Sequence, residues 1–159
     1  MTVGITGHQD LSNYDINWIR YSIRRFLSDN EVGIGYSSLA IGADQLFVRT
    51  LIDFKINYGV IIPCRQYSKT FKSEFDRKEY SFLLEKAYKA LTLDYDEPSE
   101  DAFYQAGIKI IELSDTLLAV WDGKPARGLG GTGDIVRHAK DAYKKVFHIN
   151  PINQTAHLL

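Results

Sequence analysis

Residues 116–134, TLLAVWDGKPARGLGGTGD, limit the possible folds of this chain more than any other stretch. An apolar run, Leu117–Trp121, leads into a glycine-rich loop, and a helix-forming segment opens near Gly133–Asp134. That order predicts a strand, then a loop whose backbone a ligand can approach closely. The helix that follows should aim its first-turn N–H groups at the same place. An anion suits such a site, phosphate above all. A glycine-rich loop is equally at home as plain flexible surface. What favours a ligand site is that the strand–loop–helix unit recurs along the chain.

Thr2–Thr6 reads as a short strand, followed by Gly7-His8-Gln9-Asp10. A helix over about 15–28 places Ile16, Ile19, Ile23, Phe26 and Leu27 on one face and Arg20, Arg24 and Arg25 on the other. Val32–Gly35 restarts a strand and Ser37–Asp44 is its outgoing turn. The next helix carries Leu46, Phe47, Thr50, Leu51 and Phe54 on one face, with a glycine stop at Tyr58-Gly59. Val60–Ile62 is a buried strand closed by Pro63. A polar loop, Arg65–Lys72, precedes a helix over about 73–89 with Tyr80, Leu83, Leu84, Ala87 and Tyr88 inward. Ala90–Leu93 is a brief strand and Asp94–Ser99 an acidic loop. A helix over 100–112 presents Phe103, Ala106 and Ile110. The last helix, about 134–145, buries Ile135, Val136, Ala139, Ala142 and Tyr143, ahead of a strand at Val146–Ile149. Pro151–Leu159 reads as a loose tail.

Six apolar strands alternating with five amphipathic helices predict an α/β fold. We expect a single three-layer Rossmann-like domain over residues 1–150, with a mainly parallel sheet and helices on both faces. Right-handed crossovers gather the strand-to-helix loops at one sheet edge, and ligands bind where strand order reverses. The first strand and Leu117–Trp121 are expected to be neighbours at that reversal.

Composition narrows the partners. The 159 residues carry a net charge of −1, with 45% hydrophobic and 25% charged residues, so no global basic field draws nucleic acid or an anionic membrane. That balance, with no tract of interleaved aromatic and basic residues, argues against a nucleic-acid partner. No run approaches the ~20 apolar residues of a membrane span. The lone Cys64 excludes an internal disulfide and fits a reducing cytoplasm, as does the lack of a signal peptide. Its reading is a buried, inert thiol. The four histidines show no metal-ligand spacing, and neither metal nor cofactor is expected.

Three loops carry the candidate nucleotide-binding residues. In the first, Gly7 lets a ligand approach the strand end; His8 reads as a ligand donor or a structural histidine, and Gln9 follows it. In the second, Ser37 and Ser38 offer hydroxyls and Gly42 serves the turn. Asp44 there is either a helix cap or an acceptor for a ribose hydroxyl. In the third, Trp121 belongs to the core or walls the pocket. Asp122, Gly130, Gly131, Thr132 and Gly133 line the approach, Thr132 as a phosphate donor, and Asp134 is cap or ligand group. Arg65, Tyr67 and Lys69, beyond the third strand, clamp a phosphate, stack a base or are simply solvated loop residues.

The segment SSLAIGADQLFVRTLIDFKINYGVIIP resembles the Ser-Gly-x-Ala-x-Gly-x-Asp region of the DNA-processing proteins. With GITGH before it and GLGGTGD after it, residues 2–150 resemble the SLOG superfamily, which also holds the Lonely Guy phosphoribohydrolases and nucleotide-sensing domains. The resemblance implies a Rossmann-like nucleotide-binding fold. The Lonely Guy pattern, Pro-Gly-Gly-x-Gly-Thr-x-x-Glu, aligned on Gly131-Thr132, puts Arg127 at the proline, Leu129 at the second glycine and Ile135 at the catalytic glutamate. Ile135 does no acid–base work. The family's Arg-Lys pair would fall near Leu93–Ser99, which holds no base. The expected function is therefore a non-catalytic sensor of a nucleotide or nucleotide-derived second messenger. Within the superfamily such domains are tied to anti-phage or stress signalling. The alternative is a hydrolase or transferase at a nucleotide N-glycosidic bond, of Lonely Guy or deoxyribosyltransferase type, using Asp44 or Asp134. The resemblance also implies a homo-oligomer, and Tyr80, Phe82, Tyr88, Phe103 and Tyr104 supply rings for its contact.

Overall fold

A computed structural model describes all residues 1–159. Seven strands form one sheet in the order β4-β3-β2-β1-β5-β6-β7. These are β1 Thr2–Gly7, β2 Ile34–Ser37, β3 Asn57–Ile62, β4 Lys89–Thr92, β5 Thr116–Val120, β6 Lys145–Asn150 and β7 Thr155–Leu158. Five helices alternate with them: α1 Ile16–Asp29, α2 Ala43–Asp53, α3 Glu74–Glu85, α4 Glu100–Glu112 and α5 Thr132–Asp141. All strand pairs are parallel except β6–β7. The fold is the three-layer Rossmann-like α/β domain that the alternation of strand and helix patterns predicts.

The core divides along the pleat. Val3 and Ile5 of β1, Val60 of β3 and Leu118 and Val120 of β5 point to one face, under Ile19, Ile23, Phe47, Leu51 and Leu83 of α1–α3. The alternate residues, Tyr36, Ile61, Leu117 and Ala119, point to the other, under Ile110 and Ile111 of α4 and Ile135, Val136 and Ala139 of α5. Side chains alternating across strands covered on both faces explain the near-continuous apolar runs. Chain order runs outward from β1 to β4, then jumps back to β5 beside β1, with Gly7 level with Val120. That jump is the reversal expected between the first strand and the glycine-loop strand.

Several boundaries differ from the sequence reading. Helix α2 ends at Asp53, and the turn is made by Lys55 at φ 57°. Tyr58 and Gly59 lie inside β3, where a Cβ on Gly59 would come within 2.8 Å of the Tyr36 ring. The glycine there makes room for an aromatic neighbour and does not stop a helix. Helices α3 and α5 are shorter than expected, which leaves Tyr88 and Tyr143 exposed. Conversely, α5 starts at Thr132, so Thr132–Asp134 form its first turn. Residues 151–159 are not a loose tail: Thr155–Leu158 pairs antiparallel with β6, with His157 opposite His148. Of the rings expected at an oligomer contact, Tyr80 is in the core, Phe82 and Tyr88 are exposed, and Phe103 and Tyr104 are half-buried.

Candidate functional site

His8 ties three loops together at the β1 end of the sheet. Its N–H donates to Val120 O (3.1 Å), and its carbonyl accepts from Ala43 N, the first residue of α2 (3.1 Å). The imidazole Nε2 accepts from the Asp122 N–H at 3.0 Å, so the neutral ring carries its proton on Nδ1. Missing side chains let the loops close up. A Cβ on Gly7 would sit 2.4 Å from Ala43 Cβ, and one on Gly42 would sit 2.3 Å from Gln9 O and 2.5 Å from His8 O. Gly42 also holds φ +90°, a conformation that favours glycine.

Asp44 organises the loop after β2. Its Oδ2 accepts from Ser37 Oγ (2.9 Å) and Ser38 N (3.0 Å), and the Ala40 N–H bonds to the same carboxylate. Ser37 Oγ in turn accepts from Leu39 N at 2.9 Å, which holds Leu39 at φ 58°. Burial pushes Asp44 up to about 6, while the hydrogen bonds from Ser37, Ser38 and Ala40 pull it back toward the usual carboxylate range. Asp44 is thus the hub of its own loop, whereas Gly42 holds the N-cap position of α2.

The β5–α5 loop is shaped differently. The Trp121 indole N–H donates to Lys124 O (2.8 Å) and its ring lies 5.2 Å from His148, so it turns away toward β6. Gly130, at φ +85°, passes against Tyr104 N and Glu100 O of α4. Gly131 is the N-cap of α5 and makes no side-chain bond, and the first helical bond runs from Asp134 N to Gly131 O (3.0 Å). The N–H groups of Thr132 and Gly133 precede that bond and have no partner within the helix.

These loops surround a cleft of about 740 Å³. Of the residues singled out from sequence, Gly7, His8, Gln9, Ser38, Asp44, Asp122, Gly130, Gly131 and Thr132 line it. Six do not. Ser37 is fully buried behind Asp44, and Gly42 is wedged against the β1–α1 loop. Arg65 is drawn to Asp94 (2.6 Å) and Asp96 (2.8 Å). Asp134 pairs with Arg137 on its own helix. Trp121 and Gly133 face a smaller cavity of about 300 Å³ across α5. Tyr67, read from sequence as a ligand-edge or solvated loop residue, also lines the cleft, whereas sequence reasoning missed Asn13, Tyr14, Phe71, Lys124 and Arg127, all of which line it. Lys124 and Arg127 sit inside the loop already singled out, and their charge next to the glycines was the available signal. Ile110 and Ile135 form apolar lining. Cys64 is fully buried, and burial pushes its thiol above its ordinary value, the setting of an inert side chain. No group of three or more His, Cys, Asp or Glu is placed to hold a metal ion, and no helix is long and apolar enough to cross a membrane.

No protein-family model and no curated protein matches the sequence. Solved structures match the fold. DNA processing protein A from Streptococcus pneumoniae superposes with a TM-score of 0.68 over 92% of this chain at 15% identity. The same protein from Helicobacter pylori, described for its mode of binding single-stranded DNA, superposes at 0.67 over 93% at 18% identity. The chain has the fold of these DNA processing proteins. TM1055, a structural-genomics target, shares it at a TM-score of 0.56 over 91% of this chain with 13% identity. This chain spans 49% of the first of those structures and 64% of the second. The neighbours correct one expectation: the argument against a nucleic-acid partner does not stand, because two of these structural neighbours are DNA processing proteins and one is described for its mode of binding single-stranded DNA. Net charge was the wrong quantity to judge by. A whole-chain value of −1 says nothing of where Lys124 and Arg127 are placed.

Proposed function

We propose that the cleft binds a nucleotide-bearing ligand through its phosphate and leaves the ligand intact. The observation that carries this reading is the first turn of α5. The Thr132 and Gly133 amides precede its first helical bond, and Thr132 lines the same cleft as Lys124 and Arg127. A helix N-terminus beside two cations attracts an anion through the helix dipole, the free amides and charge-assisted bonds together. The absence of turnover follows from Ile135, which lines the cleft where the hydrolase pattern sets a glutamate and supplies no proton. Binding without turnover is what a sensor of a nucleotide-derived signal requires. The second reading, favoured by the fold of the single-strand-binding neighbour, is that the same cleft holds one nucleotide of a single strand.

Thermal melts of the pure protein with nucleoside mono-, di- and triphosphates, and with short oligothymidylate, test both readings. A ligand at a hundredfold excess over its Kd adds about 2.7 kcal/mol, a shift of several degrees for a domain this size. Chromatography of the same samples should show no free base above the protein-free control. Base release abolished by Asp134→Asn, or no shift with any probe, contradicts the reading.

A further inference from the structure

Tyr67 is the cleft side chain whose chemistry the protein itself does not use. It opens a 3₁₀ turn, Tyr67–Thr70, is 5% exposed, and packs edge-on against Phe71, Tyr80 and Phe103 at 5.4, 5.5 and 6.2 Å. A buried tyrosine ordinarily finds a partner for its hydroxyl. Tyr58 does so, donating to Leu83 O at 2.5 Å. The Tyr67 hydroxyl has no protein partner, yet Thr116 Oγ1 is the sole fully enclosed side-chain oxygen or nitrogen left without one. The Tyr67 hydroxyl therefore still reaches open space, and the space Tyr67 lines is the cleft.

Asp44 lines the same cleft. Burial first, and the Asp44 carboxylate second, hold Tyr67 well above the usual phenol range, so it keeps its proton. Three donors bind the carboxylate, Ser37 Oγ, Ser38 N and Ala40 N, and four lone-pair sites leave room for one more. The cleft thus presents both a donor, Tyr67 Oη, and a spare acceptor on Asp44. A conjugated amine only donates and a keto oxygen only accepts; a hydroxyl does both.

We propose that Tyr67 and Asp44 form a subsite for a ribose hydroxyl, which accepts from Tyr67 Oη and donates to the Asp44 carboxylate. This rests on the nucleotide reading and specifies its sugar. The spacing agrees: β2 and β5 flank β1, so the Asp44 loop and the glycine loop leave the sheet roughly 10 Å apart, two strand spacings. A pentose 5-phosphate with its phosphate on α5 extends toward Asp44 across that gap.

The test uses ribose 5-phosphate and its 2-deoxy and 3-deoxy forms, which share the phosphate and lack a base. Binding is followed by chemical-shift titration of the full chain. Wild type should bind one of the two deoxy sugars at least tenfold more weakly than ribose 5-phosphate. Tyr67→Phe, which keeps the ring packing, should bind all three within twofold of one another. Tyr95→Phe, which removes a tyrosine hydroxyl that lies outside the cleft and bonds Asp101, should keep the discrimination. Equal binding of all three sugars by wild type overturns the subsite and leaves the nucleotide reading standing. Discrimination that survives in Tyr67→Phe overturns the role of that hydroxyl. Failure of every sugar phosphate to bind overturns the subsite, and the nucleotide melts then decide separately whether the wider reading falls.

Discussion

Helices α2 and α5 begin at the same edge of the same sheet, one on each side of β1, but their first turns are left in opposite states. The first amide of α2 is taken by His8 O, and its second residue, Asp44, puts a carboxylate where an anion would sit. The first turn of α5 keeps the Thr132 and Gly133 amides ahead of any helical bond, and Asp134 there is neutralised by Arg137. One helix start is thus closed by the protein's own groups and the other is open. The loop before α2 is wired by hydrogen bonds through Ser37, Ser38 and Asp44. The loop before α5 is shaped by absent side chains, Gly130 against α4 and Gly131 against Ala126. The closed start forms one wall of the cleft, and on the proposed reading the open one supplies the donors.

That contrast breaks most sharply at Gly42. Gly42→Ala forces a Cβ onto two backbone oxygens that cannot swing away, at a φ of +90°. Stability should fall by about 3 kcal/mol, read from urea unfolding, because strain and clash act together. A loss below 1 kcal/mol would show that the wall is soft.

Asp44 sharpens the contrast through pH. Its carboxyl is raised from 3.8 to about 6 in the fold, so between those values the folded state holds a proton that the unfolded state has lost. Stability from this group therefore falls as pH rises through that window, by on the order of 3 kcal/mol in all. Asp44→Asn removes the titration. The stability difference, wild type minus variant, should shrink as pH climbs from 4 to 7, and parallel profiles would contradict the buried charge.

The two regions also differ in how far the sequence disclosed them. The strand–glycine–helix unit was readable because its chemistry is local: glycines, a helix start and an apolar strand in one stretch. The pairing of β1 with β5 followed from the alternation of elements and crossover handedness. What stayed hidden depends on partners distant in sequence. Arg65 read as a clamp or a solvated loop residue, and its pairing with Asp94 and Asp96, about thirty residues on, was not visible in sequence. Trp121 read evenly as core or pocket wall, and its hydrogen bond to Lys124 O settled it against the main cleft. Tyr67 read as either a ligand-edge residue or a solvated loop residue, and its burial was hidden because it comes from α3 and α4. The last strand was missed because TAHL is too short and too exposed to show a period.

The most direct test of the central claim, that the open start of α5 holds the ligand, compares wild type with Gly131→Val by calorimetric titration. The probe is the nucleotide that gives the largest thermal shift. A side chain at 131 meets the Ala126 methyl at 2.8 Å, so the loop must shift to admit it; because residues 123–129 are mostly exposed, that shift is local and should cost the fold about 1 kcal/mol. The account predicts that binding falls at least a hundredfold in this variant while its unfolding transition stays near that of wild type. Wild-type affinity in Gly131→Val would place the ligand elsewhere and contradict the account.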